Sequence, residues 1–303
     1  MEGSSGTAGE GYRRHERLSA TLGVYFGALP TVDQVGAATP MSLPESSTGP
    51  ALGRPTQPSP AQQQRARIFG VLFALTFVTS IAALILYDPV LNDADYILGN
   101  GADTRVQLGA LCEIFLAITN IGTAVVLWPI VRRQSQTLAL SYVASRIVES
   151  VIIVVGLISL LSVVTLREDF AGAGANADSL NIAGQSLVAI HDWTFLLGPG
   201  FCVGVNGLVL GYLFYRSGLV PRWIAMFGLV GGPLAFVGSI FVLFGAWEQT
   251  SATQFIFTIP EIVFEASITI YTIWKGFRPS PILDDTRYGR LDGGPVSPAV
   301  AAP

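Results

Sequence analysis

The sequence predicts an all-α protein embedded in a lipid bilayer: a bundle of six transmembrane helices with disordered N- and C-terminal tails. Three observations carry this expectation. Hydrophobic residues fill 50% of the 303 positions and charged residues 13%, about half the charge share of a soluble domain. Six apolar runs follow Ile68, each long enough for a hydrocarbon core that needs about 20 residues. Basic residues gather in alternate connections between those runs.

Residues 1–64 lack any sustained apolar period and are rich in Gly, Ser, Pro, Gln and Thr, as in Ser42–Pro50. Such a segment buries too little surface to offset backbone ordering, so a disordered tail is expected. No charged-then-apolar leader opens the chain, and no cleaved export signal is expected. Met41 could itself serve as a start, which makes residues 1–40 a candidate over-long gene prediction. The six spans are expected at 68–87, 106–131, 138–166, 187–215, 223–245 and 255–274. Each is read as a helix, because a lone segment in lipid must satisfy its own backbone hydrogen bonds. Strand-length alternation of the kind a barrel needs is absent from the sequence. The membrane domain therefore covers 65–278, and the Pro- and Gly-rich residues 279–303 form the second disordered tail.

Orientation follows from the connections. Arg65, Arg67, Arg132, Arg133, Arg216, Arg222, Lys275 and Arg278 fall on one side, whereas the other has Arg105 and Arg167 among many acids. The positive-inside rule then puts both termini in the cytoplasm. Trp128, Trp193, Trp223, Trp247 and Trp274 lie near expected span ends, where indole rings anchor at the interface. Lys275 is the only lysine beside sixteen arginines. That bias suits a GC-rich bacterial genome, and the expected location is the bacterial plasma membrane.

Several motifs resemble a known family. They are Ser141–Ser150 (SYVASRIVES), His191–Gly200 (HDWTFLLGPG), Tyr215–Arg222 (YRSGLVPR), Pro260–Glu265 (PEIVFE) and the closing Lys275-Gly276-Phe277. Together the stretch from 65 to 278 resembles the bacterial six-span membrane family called domain of unknown function 4386. The resemblance implies a six-helix integral membrane protein and no assigned activity. The long N-terminal segment lies outside it.

Charges inside the spans are the candidate site: Glu113 on span 2, Arg146 and Glu149 on span 3, His191 and Asp192 on span 4, and Glu261 and Glu265 on span 6. A charge at the bilayer centre costs about 2.5–3.5 kcal/mol on insertion scales if it faces lipid. The group must therefore face the bundle interior, pair internally or be neutralised. Glu149 and Glu265 lie near the midplane by residue count, and Arg146 shares a helix face with Glu149 and Tyr142. One arginine cannot neutralise all the acids. Base rates for buried ion pairs favour an interhelical clamp, Arg146 held between Glu149 and Glu265, over a proton or cation path. Adjacent His191 and Asp192 point about 100° apart on a helix, so they are expected as a polar cluster at the outer mouth, without forming a ready-made pair.

Glycine and proline interrupt the spans. Gly198-Pro199-Gly200 in span 4 and Gly231-Gly232-Pro233 in span 5 lie at similar depth, and Pro260 precedes the acids of span 6. Discontinuous helices at matched depth point to a transporter site; packing kinks are the commoner cause. Gly200-x-x-x-Gly204 and Gly207-x-x-x-Gly211 form two successive small-residue steps that predict close helix contact along span 4.

Several classes are set aside. The net charge of −4 offers no basic excess for nucleic acid. No phosphate loop, nucleophile elbow or paired-His metal motif occurs, so neither metal nor cofactor is expected. Cys112 and Cys202 sit within spans as small apolar fillers. The expected partner is the bilayer itself, together with a small solute or cation. Transport or permeation through a polar interior is the leading functional expectation. A non-catalytic membrane subunit or scaffold is the alternative, and an intramembrane enzyme ranks below both.

Overall fold

The computed structural model describes residues 54–93, 95–99, 103–170 and 176–288. They are helical nearly throughout. Helix α1 spans Pro60–Asn92, α2 Asp103–Val131 and α3 Gln136–Phe170. The fourth span is composite: α4 (Ala177–Phe195), a π-helical turn (Leu196–Cys202) and α5 (Val203–Ser217). Helices α6 (Arg222–Leu243) and α7 (Ala252–Trp274) complete six segments long and apolar enough to cross a membrane. Among the described residues the only β-type pairing is an isolated bridge between Thr56 and Ser280.

Consecutive helices pack against each other around a ring, and α7 returns to α1 to close it. Short connections force this order, since a helix that re-enters the bilayer within a few residues lies beside its predecessor. Most helices run past the expected spans, α4 by ten residues at its start. Trp193 accordingly sits well inside the fourth span, away from its end.

The boundaries of both tails shift. Helix α1 begins at Pro60, capped by Ser59, whose hydroxyl accepts from Gln62 N–H while the Gln62 side chain accepts from Ser59 N–H. A short 3-10 turn (Pro281–Leu283) and a final turn, α8 (Asp285–Tyr288), continue the chain after Phe277. These pieces bind each other. Gln62 Nε2 donates to Leu283 O and to Asp285 Oδ1, both at 3.0 Å. Arg133 reaches Asp285 at 2.9 Å and Ile282 O at 3.1 Å, and Gln63 exchanges two hydrogen bonds with Phe277. Residues 54–64 and 279–288 are thus ordered parts of the membrane domain, because capping groups and buried Ile282 and Leu283 tie them to it. The rest of each expected tail lies outside the described residues.

Two apolar clusters fill the ring. The larger, at the end bearing these termini, gathers Phe69, Phe73, Leu127, Ile130, Tyr142, Phe214 and Ile268 among others. The smaller, at the opposite end, gathers Ala83, Tyr87, Tyr96, Ile97, Val106, Leu160 and Val163. Between them lies a polar layer.

Candidate functional site

Arg146 organises the polar layer. It sits on α3 one turn after Tyr142 and one turn before Glu149, so all three side chains leave the same face. Its Nε donates to the Tyr142 hydroxyl at 3.3 Å. One terminal nitrogen donates to Asn120 Oδ1 at 2.7 Å and Glu149 Oε2 at 3.1 Å, and the other stands 3.6 Å from Glu265 Oε1 on α7. The Phe73 ring lies 5.1 Å beneath the guanidinium carbon, in cation–π range. Asn206 of α5 donates to the same Glu149 oxygen at 2.7 Å. Helices α2, α3, α5 and α7 thus meet on one guanidinium and its carboxylate.

Arg146 stands between Glu149 and Glu265, with Glu149 taking the short contact and Glu265 the long one. Glu149 is one turn away on a rigid helix, while Glu265 must reach across the interior. Asn120 and Asn206 were missed. Asn120 lies two turns beyond Glu113 on α2, and Asn206 lies inside the glycine stripe of span 4. A search for polar residues sharing a face with an in-span charge would have found both.

A cavity of about 210 Å³ opens beside this cluster. Arg146, Glu149, Glu265 and Asn120 line one part of it; Tyr87, Glu113 and His191 line another. Phe77, Leu116, Ile153, Phe195 and Val203 are among its apolar walls. In the latter part the Tyr87 hydroxyl donates to Glu113 Oε2 at 2.9 Å, and the His191 ring meets Tyr87 edge-on with centroids 5.7 Å apart. His191 Nδ1 is buried and has no hydrogen bond. Its nearest charged neighbour is Asp192 Oδ1 at 3.6 Å. The two side chains do approach, against expectation, because the exposed Asp192 folds back toward the ring. Asp192 lines a separate cavity with Asp93 and Gln185.

Glu261 stands apart from the cavity. It is 1% exposed, and neither carboxylate oxygen has a hydrogen-bond partner. The carboxylate lies where a Cβ on Gly207 would meet Oε1 at 2.0 Å, and Gly231 presses on the Glu261 backbone with 2.5 Å from an ideal Cβ to its nitrogen. Burying a lone carboxylate costs several kcal/mol, and none of the described residues gives Glu261 a hydrogen bond.

The glycines act as packing surfaces. A Cβ on Gly204 would stand 2.8 Å from Gly232 O, and one on Gly211 2.8 Å from Leu229 N, both on α6; Gly200 faces Ser239 at 3.1 Å. Only Gly198-Pro199-Gly200 coincides with a break in α-helical geometry, the π-helical turn. That break is intelligible: Pro199 has no N–H for the carbonyl of Phe195, and widening the turn re-registers the ladder. Gly231-Gly232-Pro233 and Pro260, expected as interruptions, lie inside the continuous helices α6 and α7. Neighbouring backbones pack onto Gly231 and Gly232, and each helix runs on through the single donor its proline lacks. Matched discontinuities in spans 4 and 5 are therefore not found.

Among the described residues no group of three or more His, Cys, Asp or Glu side chains is arranged to hold a metal ion.

Six apolar helices closing around a charged, cavity-bearing interior define a multi-pass membrane protein. The chain belongs to the family described as domain of unknown function (DUF4386), whose model matches residues 68–276. No curated protein and no solved structure matches the chain.

Proposed function

We propose that this protein moves a small solute or cation through the polar interior of its bundle, in a bacterial plasma membrane with both termini in the cytoplasm. The observation that carries the reading is the cavity itself, which joins the Arg146 cluster to the Tyr87–Glu113–His191 group. A bundle needing charges only as fasteners gains most when every carboxylate is fully bonded, because each unpaired one is costly in lipid. Glu265 instead has one long contact, 3.6 Å from Arg146, among the described residues, and it lines the cavity. The Gly–Pro π-helical turn beside the cavity supplies irregular backbone where a solute path would use it. The scaffold reading draws support from Arg146, all of whose nitrogens are engaged. Both hold if Arg146 and Glu149 form the fixed wall and Glu265 the working face.

Purified protein in liposomes loaded with a pH-sensitive dye, challenged with a panel of cations, tests this reading. Flux above protein-free vesicles is expected, with a loss in Glu265→Gln that exceeds any loss of folded protein. No flux from a folded, correctly inserted protein would leave the scaffold reading in possession. Topology has its own test: a reporter fused after Ala302 should read cytoplasmic and one fused after Gly172 the opposite side. Reversed signals would overturn the orientation, and equal signals the six-span count.

A further inference from the structure

The cavity has the chemistry of a site for one kind of solute. We infer that it binds a small protonated amine with an apolar, preferably aromatic, body; this rests on the reading of the cavity as a solute site. Three carboxyl groups, Glu113, Glu149 and Glu265, line it against the single guanidinium of Arg146. That guanidinium donates to Tyr142, Asn120 and Glu149 and turns its remaining nitrogen toward Glu265, so an anion there competes with the Glu265 carboxylate for its donors. The Glu265 carboxylate, by contrast, has a single long contact at 3.6 Å, to Arg146, among the described residues, and an ammonium group would give it a closer partner.

One buried side chain that lines the cavity also carries an unbonded donor: Asn120 is 1% exposed and its Nδ2 has no hydrogen bond among the described residues. Unsatisfied buried groups of this kind are uncommon and call for a missing partner. Because Asn120 Oδ1 and Glu265 Oε1 both touch the Arg146 guanidinium, the amide and the carboxylate stand near one another. Asn120 and Glu265 line the same cavity, so the unbonded Nδ2 is a donor available to a hydroxyl or carbonyl carried on the amine.

The walls select an organic cation over a metal ion. Phe77, Tyr87 and Phe195 present aromatic rings, and Leu116, Ile153 and Val203 present aliphatic surface. Rings of this sort attract a cation through their faces and cannot replace the hydration shell of an inorganic ion. The size agrees, since an apolar cavity of about 150 Å³ takes up benzene and this one is about 210 Å³. Leu84 and Phe195 line the cavity yet are 54% and 38% exposed on the outer wall of the bundle. An apolar rim that reaches the lipid-facing surface suits a solute that partitions into the bilayer.

Benzylamine, benzyl alcohol and benzoate share one body and differ in charge. Each is titrated against the detergent-solubilised protein at neutral pH, with thermal unfolding and calorimetric binding as readouts. Benzylamine is expected to raise the unfolding temperature saturably, with benzyl alcohol and benzoate at least about tenfold weaker. In Glu265→Gln, measured against its own baseline, the affinity for benzylamine should fall by at least about tenfold. Ile153→Phe, which narrows the cavity and leaves every carboxyl group in the chain, should abolish binding and serves if Glu265→Gln does not fold. Equal responses to the amine and the alcohol, tighter binding of benzoate, or no saturable response would each overturn the inference. Benzylamine binding without flux in liposomes would overturn the transport reading alone. Flux of an inorganic cation without benzylamine binding would overturn this inference alone.

Discussion

Arg146→Met should be among the most destabilising single substitutions in this protein, costing about 3–5 kcal/mol. The change removes the donors to Asn120 and Glu149 and the facing charge of Glu265. It strands the Glu149 carboxylate, which is buried and retains only Asn206. Glu149→Gln alone should also destabilise, since it leaves the guanidinium short of its nearest counter-charge. The double change Arg146→Met/Glu149→Gln should recover part of the loss, with a coupling of about 0.5–3 kcal/mol. The coupling between Arg146→Met and Glu265→Gln should be smaller, because that contact is 3.6 Å and the Glu265 side chain keeps 17% exposure. Thermal or denaturant unfolding in detergent measures all three. Additive losses at Arg146 and Glu149 would break the assignment of Glu149 as principal partner.

Gly204→Leu should produce a loss of similar rank by a different route. A Cβ at Gly204 stands 2.8 Å from Gly232 O and 2.9 Å from Phe236 N. These are backbone atoms of α6, so no side chain can rotate away; the helices must separate. In lipid the association of α5 and α6 rests on dispersion contacts that such separation removes. Overpacking costs about 1–3 kcal/mol in soluble cores, occasionally more, and a leucine wedged between two backbones belongs at the upper end. Gly232→Ala should act in the same direction, since its Cβ would meet Leu208 N at 2.4 Å. Ala144→Leu, on an exposed position of α3, should stay within about 0.5 kcal/mol. Equal unfolding of Gly204→Leu and Ala144→Leu would mean that α5 and α6 do not meet there.

Glu261 shows where reading the sequence reaches its limit. On a helical wheel it shares a stripe with Glu265, and the two look like one carboxylate pair. In the fold they diverge: Glu265 borders the cavity, while Glu261 lies against Gly207 with both oxygens unpartnered. One turn of helix carries the side chain from the interior to the seam with α5 and α6. His191 and Glu113 show the converse. Nothing in their spacing joins them, yet they line the same cavity with Tyr87 between them.

The sequence by itself determined the six apolar helices, their alternation of basic and acidic connections, the close-packing stripe at Gly200, Gly204, Gly207 and Gly211, and the need for the in-span charges to converge. These are local properties: hydropathy, charge and residue volume act within a helix or its flanks and require no knowledge of the neighbours. Only the tertiary structure decided that Glu149 and Asn120 hold Arg146 more closely than Glu265 does, and that Glu261 is sealed away. It also decided that Pro233 and Pro260 leave their helices continuous while Pro199 opens a π-helical turn. Those outcomes depend on how each helix is rotated about its axis and how deep it sits against the next. Backbone contacts at the glycines fix both, through distances of a few ångströms between residues remote in the chain.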